Sequence, residues 1–171
     1  AIASLFVEKY ASIIVLGDME YSMALPLFAL RQNLFTDPQR PMRIEQGLYN
    51  IGAADETSPL MVTVDFALTY FIVSGEVERS KVPAWLLIPD AGGYSVLTAW
   101  AAGKLNGKSI AKAVKEMEIE GKIKTREIII PGKVAVLKAD IEDELPGWKV
   151  IVGSTEAAAL PKFLKDHVEA S

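Results

Sequence analysis

Apolar positions along this chain follow two rhythms. Short runs at 12–16 (SIIVL), 60–64 (LMVTV), 85–88 (WLLI), 127–130 (EIII) and 148–152 (WKVIV) are too brief for stable helices. They read as buried strands. Between them the spacing turns helical. The pattern predicts helices over 1–10, 20–33, 66–73, 94–102, 109–121, 134–145 and 155–167. Their expected inward faces carry Met23, Leu27 and Leu30; Phe66, Tyr70 and Val73; Val96, Leu97, Trp100 and Ala101; and Ile110, Val114 and Met117. Ser109 and Thr155 stand where N-caps belong, and Gly121 where a helix ends. Pro161 is expected to kink the last helix or divide it.

The punctuation fits the same plan. Asp65, Asp90-Ala91-Gly92-Gly93, Pro131-Gly132 and Gly153-Ser154 each stop a strand. Residues 74–81 read as a polar, acidic connection, and 36–58 as a longer one, broken by Asp37-Pro38 and Arg40-Pro41. Within it, 44–51 reads as an extended arm or a hairpin. From Leu60 onward four strands alternate with helices, which predicts an open, mainly parallel α/β sheet with helices on both faces. Residues 1–40, a helix, a strand and a helix, suit the tail of a TIM barrel begun upstream. The expected organisation is 1–40 barrel tail, 41–58 linker and 59–171 an α/β domain.

Composition narrows the chemistry. Half of the 171 residues are hydrophobic, enough for a full core, and the net charge of −4 comes without a basic stripe. Nucleic acid is therefore not an expected partner. No apolar run is long enough to span a membrane, and no signal-peptide pattern opens the chain, which starts at Ala1 and reads as part of something longer. There is no cysteine, so these residues supply no disulfide, zinc thiolate or cluster ligand. The one histidine, His167, lies in a charged terminal segment. Nucleophile–base sets have almost no material here, and no catalytic residue or protein metal ligand is assigned.

Residues 85–103 organise the rest: strand, glycine turn, helix. In open α/β sheets ligands bind beyond the carboxyl ends of the strands. Four such ends, 63–66, 90–95, 131–133 and 153–155, are small, polar and glycine-rich, with two acids and many backbone donors. That set suits binding better than acid–base catalysis. Each member has a plainer reading. Asp65 and Asp90 also suit helix caps, and Thr69 and Thr98 suit hydroxyls bonded to their own helix. Phe66, Tyr70, Tyr94 and Trp100 also suit a core. A dinucleotide turn lacks its third glycine, and no Walker sequence appears.

Several stretches carry a resemblance: TVDFALTYFIVSGE at 63–76, GYSVLTAWAAGK at 93–104, IIPGKVAVLK at 129–138 and ELPGW at 144–148, with LRQN at 30–33 and TDP at 36–38. Together they resemble the large (gamma) subunit of the corrinoid iron–sulfur protein of the acetyl-CoA synthase / carbon monoxide dehydrogenase pathway. The resemblance implies a Rossmann/flavodoxin-like corrinoid-binding domain at the C-terminal end of a subunit with an upstream iron–sulfur domain and a central TIM barrel. It implies a corrinoid cofactor (cobalamin or a related cobamide) that carries a methyl group on cobalt, from a methyltetrahydropterin methyltransferase to acetyl-CoA synthase. The implied partners are those two enzymes, a small subunit completing a heterodimer, and a reductive activator, all cytoplasmic. The implied class is a methyl-carrier subunit, grouped as a whole with corrinoid/iron–sulfur protein Co-methyltransferases. Corrin and nucleotide-tail contacts map by resemblance to Asp65, Phe66, Thr69, Tyr70, Gly93, Tyr94, Ser95, Val96, Leu97 and Thr98, then Gly132, Val134, Ala135 and Ala157. Thr98 is expected near the lower face of cobalt, where no histidine of this chain reaches. The rival expectations are a flavin-like ligand in the same place and an interaction module that docks a partner barrel or redox activator without cofactor.

Overall fold

A computed structural model describes residues 2–9, 11–18, 20–36 and 42–170. The chain divides into two compact units, Ala1–Pro41 and Met42–Ser171.

The first unit holds α1 (Ile2–Glu8) and α2 (Tyr21–Thr36). The strand expected at 12–16 does not form. A strand needs a partner edge, and the described residues of this unit offer none; Ile13 and Val15 stand 83% and 89% exposed. The barrel-tail expectation therefore has no barrel strand to rest on here. Met23, expected inward, is exposed, while Ala24 beside it is buried.

The second unit is built on one mixed sheet. Its strands are β1 (Gly47–Ile51), β2 (Leu60–Val62), β3 (Ala84–Ile88), β4 (Glu127–Ile130) and β5 (Lys149–Val152), in the order β1-β3-β2-β4-β5. Strands β3, β2, β4 and β5 run parallel. The segment read as an arm supplies the edge strand β1, antiparallel to β3 with Gly47 opposite Ile88. Along the parallel strands the chain runs from β2 outward to β3, then returns past β2 to β4 and β5. This is the start of the flavodoxin-like 2-1-3-4-5 order, and its direction reverses between β2 and β4.

Alternation along each strand sorts the core onto two faces. Leu60, Val62, Leu87, Ile128, Ile130 and Val150 pack with Ala99, Ile110, Val114, Leu137 and Ile141. Met61, Leu86, Ile88 and Ile129 pack with Val77, Leu160 and Leu164 on the other side. Helices thus cover both faces. Near-continuous apolar strands are the expected consequence of double coverage.

Several boundaries differ from the sequence reading. The helix after β2, α3 (Ala67–Ser80), begins after Phe66 and continues through the stretch read as a connection. Ser74 and Ser80 donate to the carbonyls of Phe71 and Val77, and buried Val77 anchors the added turns. The next helix, α4, is only Val96–Ala101. Helix α5 (Gly107–Glu116) is capped by Asn106, not Ser109. The Asn106 side chain accepts from the Ser109 N–H, and the Ser109 side chain accepts from the Asn106 N–H. Gly121 lies inside a short separate helix, α6 (Ile119–Lys122), and does not end α5. The helix expected over 134–145 is a 3-10 segment (Gly132–Leu137), itself broken at Val134, which leaves helical geometry at φ −121°, followed by α7 (Lys138–Glu144). Thr155 caps nothing. A 3-10 turn (Ala157–Ala159) leads into α8 (Leu160–Ala170), where Pro161 sits in the first turn and is tolerated.

Candidate functional site at the carboxyl edge of the sheet

The carboxyl ends of β2 and β3, and those of β4 and β5, are tied together in pairs. Gly92 and Gly93, at φ +72° and +77°, make the turn after β3. The Asp65 side chain, fully buried, reaches across from the end of β2. Its Oδ1 accepts the Gly93 N–H at 2.9 Å, and its Oδ2 accepts Arg43 Nε at 2.9 Å and Nη2 at 2.5 Å. The same Arg43 Nη2 donates to Asp90 Oδ1 at 2.8 Å, which also accepts the Gly92 N–H at 3.0 Å. That backbone donor, with Arg43 and Lys104, holds the Asp90 carboxyl below the usual aspartate value of 3.8. Neither acid caps a helix. After β4 and β5 the backbones zip together: Gly153 donates to the Ile130 carbonyl at 2.9 Å and Gly132 to the Ser154 carbonyl at 3.1 Å.

Between these tied ends lies a cavity of about 340 Å³. Its walls are the ends of β2 (Met61, Val62, Thr63) and β4 (Ile129, Ile130, Pro131). α3 contributes Thr69, Ile72 and Val73, the start of α4 contributes Ser95, Val96 and Leu97, and the 153–157 turn and Leu160 complete it. It therefore stands at the point where the strand order reverses, where doubly wound sheets take their ligands. Thr63 is 1% exposed, and its hydroxyl has no hydrogen-bond partner among the described residues. Around this edge large apolar side chains stand in solvent: Leu68, Phe71, Ile72, Tyr94, Leu97 and Trp100.

Of the residues singled out from sequence, Thr69, Ser95, Val96, Leu97 and Ala157 line this cavity. Asp65 and Gly93 do not line it and are joined to each other. Phe66 is half-buried and packs on the α5 side of the sheet, where Val134 is fully buried. Tyr70 packs on the α8 side, its ring centroid 5.2 Å from that of Tyr49. Tyr94 lies over Gly92. Thr98 is exposed, with its hydroxyl 3.0 Å from that of Ser95 rather than on its own backbone. Gly132 stands where a Cβ would meet the Gly153 carbonyl oxygen at 2.5 Å, and Ala135 is exposed outside the cavity. His167 is at the other end of β4, with Nε2 3.6 Å from Glu127 and its ring stacked on Phe163.

Thr63, Lys133 and Ser154 fell within the strand ends read from sequence without being assigned a contact, and Arg43 was missed altogether. Thr63 left a signal, a hydroxyl inside an apolar run. Arg43 left none, because its partners lie 22 and 47 residues away. No group of three metal-ligating side chains forms among the described residues, and no helix there is long and apolar enough to cross a membrane.

The family model described as CO dehydrogenase/acetyl-CoA synthase delta subunit matches residues 1–164. The chain is 49% identical over 163 residues to the corrinoid/iron-sulfur protein large subunit of Moorella thermoacetica, covering 95% of this chain and 36% of that protein. It is 40% identical over 164 residues to the acetyl-CoA decarbonylase/synthase complex subunit gamma of Methanopyrus kandleri, covering 96% and 35%. The corresponding subunit of Methanothermobacter thermautotrophicus is 37% identical over 163 residues, covering 95% and 35%. The chain spans about a third of the length of these curated relatives.

Proposed function

The chain belongs to the CO dehydrogenase/acetyl-CoA synthase delta subunit family, and from that premise we propose that its second unit binds a corrinoid at the carboxyl edge of its sheet. There it carries a methyl group between a methyltetrahydropterin methyltransferase and acetyl-CoA synthase. The observation that carries this reading is the cavity at the reversal of strand order, opening under an apolar rim.

The residues present fit such a group. A corrin is a broad, largely apolar macrocycle fringed with amides, far larger than a cavity of about 340 Å³. It would lie on the rim formed by Leu97, Tyr94 and Ile72, with only a projecting part inside. Ser95, Ser154, Thr155 and Lys133 offer polar partners to that part along the cavity wall. Gly132 and Gly153 bring backbone close to backbone there, and a side chain at Gly132 would fill the gap. When bound, the corrinoid supplies a cobalt atom that accepts and releases the methyl group.

This chain's own part is to bind and orient. Of the charged side chains at this edge, Asp65 is committed to Arg43 and Gly93, and Lys133 and Glu156 on the cavity wall pair with each other at 3.2 Å. The only histidine lies at the opposite end of β4, so these residues would offer a bound corrinoid no imidazole. With no cysteine, they give no thiolate to a cluster. A small partner subunit covering the outer face of the corrin, and a reductive activator, complete the proposed assembly.

Titration of the 171-residue chain with hydroxocobalamin, followed by visible absorption and calorimetry, tests the proposal. Saturable binding with a shift to the base-off spectrum is expected. No binding, with the small subunit present or absent, overturns it and favours a docking module without cofactor.

A further inference from the structure

The segment that opens the second unit is strapped across the end of β2. The Ile44 N–H donates to the Asp65 carbonyl at 2.8 Å, and the Ala67 N–H to the Met42 carbonyl at 2.9 Å. Arg43, between them, forms an isolated antiparallel bridge with Phe66. The strap therefore supplies the carbonyl that satisfies the first free N–H of α3, a helix that has no side-chain cap. Its side chain does more. One guanidinium engages two carboxylates, and each carboxylate in turn holds the N–H of one glycine of the turn after β3.

These contacts are not explained as stabilising charge pairs alone. Asp90 has a side chain 64% exposed, and an exposed ion pair contributes little. Its oxygen nevertheless serves Arg43 and Gly92 together, and this fixes where the turn stands. The planar fork of arginine is the group suited to two acceptors at once; a lysine ammonium is a point charge without that geometry. Two residues beyond Gly93 come Ser95, Val96 and Leu97, which line the cavity.

We propose that Arg43 is a positioning residue for the ligand face. Through Asp65 and Asp90 it pins the Gly92–Gly93 turn against the end of β2 and so sets the first turn of α4 over the cavity. This inference rests on the corrinoid reading for its ligand but not for its geometry.

Three variants of the 171-residue chain test it: Arg43→Lys, Asp90→Ala and Asp90→Asn. Removing Arg43 leaves the fully buried Asp65 without its cation, so Arg43→Lys is read beside the milder Asp90→Ala. Amide exchange at Gly92 and Gly93 is measured with thermal midpoint and hydroxocobalamin affinity. In Asp90→Ala, exchange at both glycines rises about tenfold and affinity falls about tenfold, the scale of one lost charge-assisted bond. The thermal midpoint stays near that of the parent. Asp90→Asn, whose neutral amide oxygen still accepts both donors, restores exchange and affinity in part. Unchanged exchange in Arg43→Lys and Asp90→Ala overturns the latch. Faster exchange with unchanged affinity overturns its positioning role. A parent chain that does not bind hydroxocobalamin overturns the corrinoid reading instead, and exchange alone then decides the latch.

Discussion

At the starts of its parallel strands the second unit closes its surface with charge. Lys124 pairs with Glu56, Arg126 with Glu120, and Lys149 with Glu127, whose other oxygen faces His167. Trp85 and Trp148 donate their indole N–H groups, to the Asp55 carbonyl and to Glu120. The cavity at that edge is small, about 110 Å³. The carboxyl edge is the reverse. There the Arg43 network is spent on holding a turn, Lys133 pairs with Glu156 beside a cavity of about 340 Å³, and the rim is apolar. The same strands carry both edges, so the difference is not one of fold. The end that departs from closure is the end to which the proposed function assigns the ligand.

The strongest way to break that contrast is to crowd the carboxyl edge. In Gly132→Ala the new Cβ falls 2.5 Å from the Gly153 carbonyl oxygen and 2.8 Å from the Thr155 nitrogen, both backbone atoms. Expected destabilisation is about 3 kcal/mol, read by urea unfolding. Gly121→Ala, in α6 beside the charged edge, meets nothing within 4 Å and is expected to raise stability by about 0.5–1 kcal/mol. Equal effects at the two positions would show that the close approach at Gly132 is not what holds the β4 and β5 turns.

A smaller and sharper effect is expected at Thr63. Its buried hydroxyl lacks a partner among the described residues, on the strand end that walls the cavity. Thr63→Val keeps the shape and removes the unpaired group. The ligand-free chain is expected to gain about 1 kcal/mol. Hydroxocobalamin binding is expected to weaken, because a polar partner inside the cavity is lost. Opposite signs in the two measurements mark a binding residue, whereas loss of stability in the free chain would mark the hydroxyl as a structural one.

How much of this was legible beforehand follows from what each feature depends on. The parallel strands were readable because burial on both faces makes them unbroken apolar runs. The run at 12–16 has the same composition and forms no strand, since pairing is a property of neighbours and not of the run. The end of α3 was missed because Ser74, Gly75 and Glu76 look like a connection. Their helix is held by hydroxyls returning to their own carbonyls and by one buried valine. Around the cavity, Ser95 follows from its place after a strand and a turn, whereas Thr69, Val96 and Leu97 were reached through the resemblance. Asp65 was noticed for the right position but given either a cap's role or a ligand's. Its partner in the fold, Arg43, sits between Met42 and Ile44 in a stretch read as a connection, where nothing marks it.

The mildest prediction sets one aspartate at each edge against the other. Asp55 and Asp90 both lie below the ordinary aspartate value of 3.8. Asp55 does so chiefly through the Thr57 N–H, then the Thr57 and Ser58 hydroxyls. Asp90 does so chiefly through the Gly92 N–H, and beyond that through Arg43 and Lys104. A depressed folded value means that each contribution is present above the unfolded value and lost as the pH falls through the folded one. Protection of the Thr57 and Gly92 amides is therefore expected to hold above 3.8 and to decline below it. The edges separate under salt. Screening weakens the attraction of Arg43 and Lys104 for Asp90, so the Gly92 midpoint should rise toward 3.8 between about 0.05 M and 1 M salt. The Thr57 midpoint, set by neutral donors, should stay in place. Equal movement of both midpoints would mean that the carboxyl-edge turn is held by its glycine N–H alone, and that the guanidinium adds nothing to it.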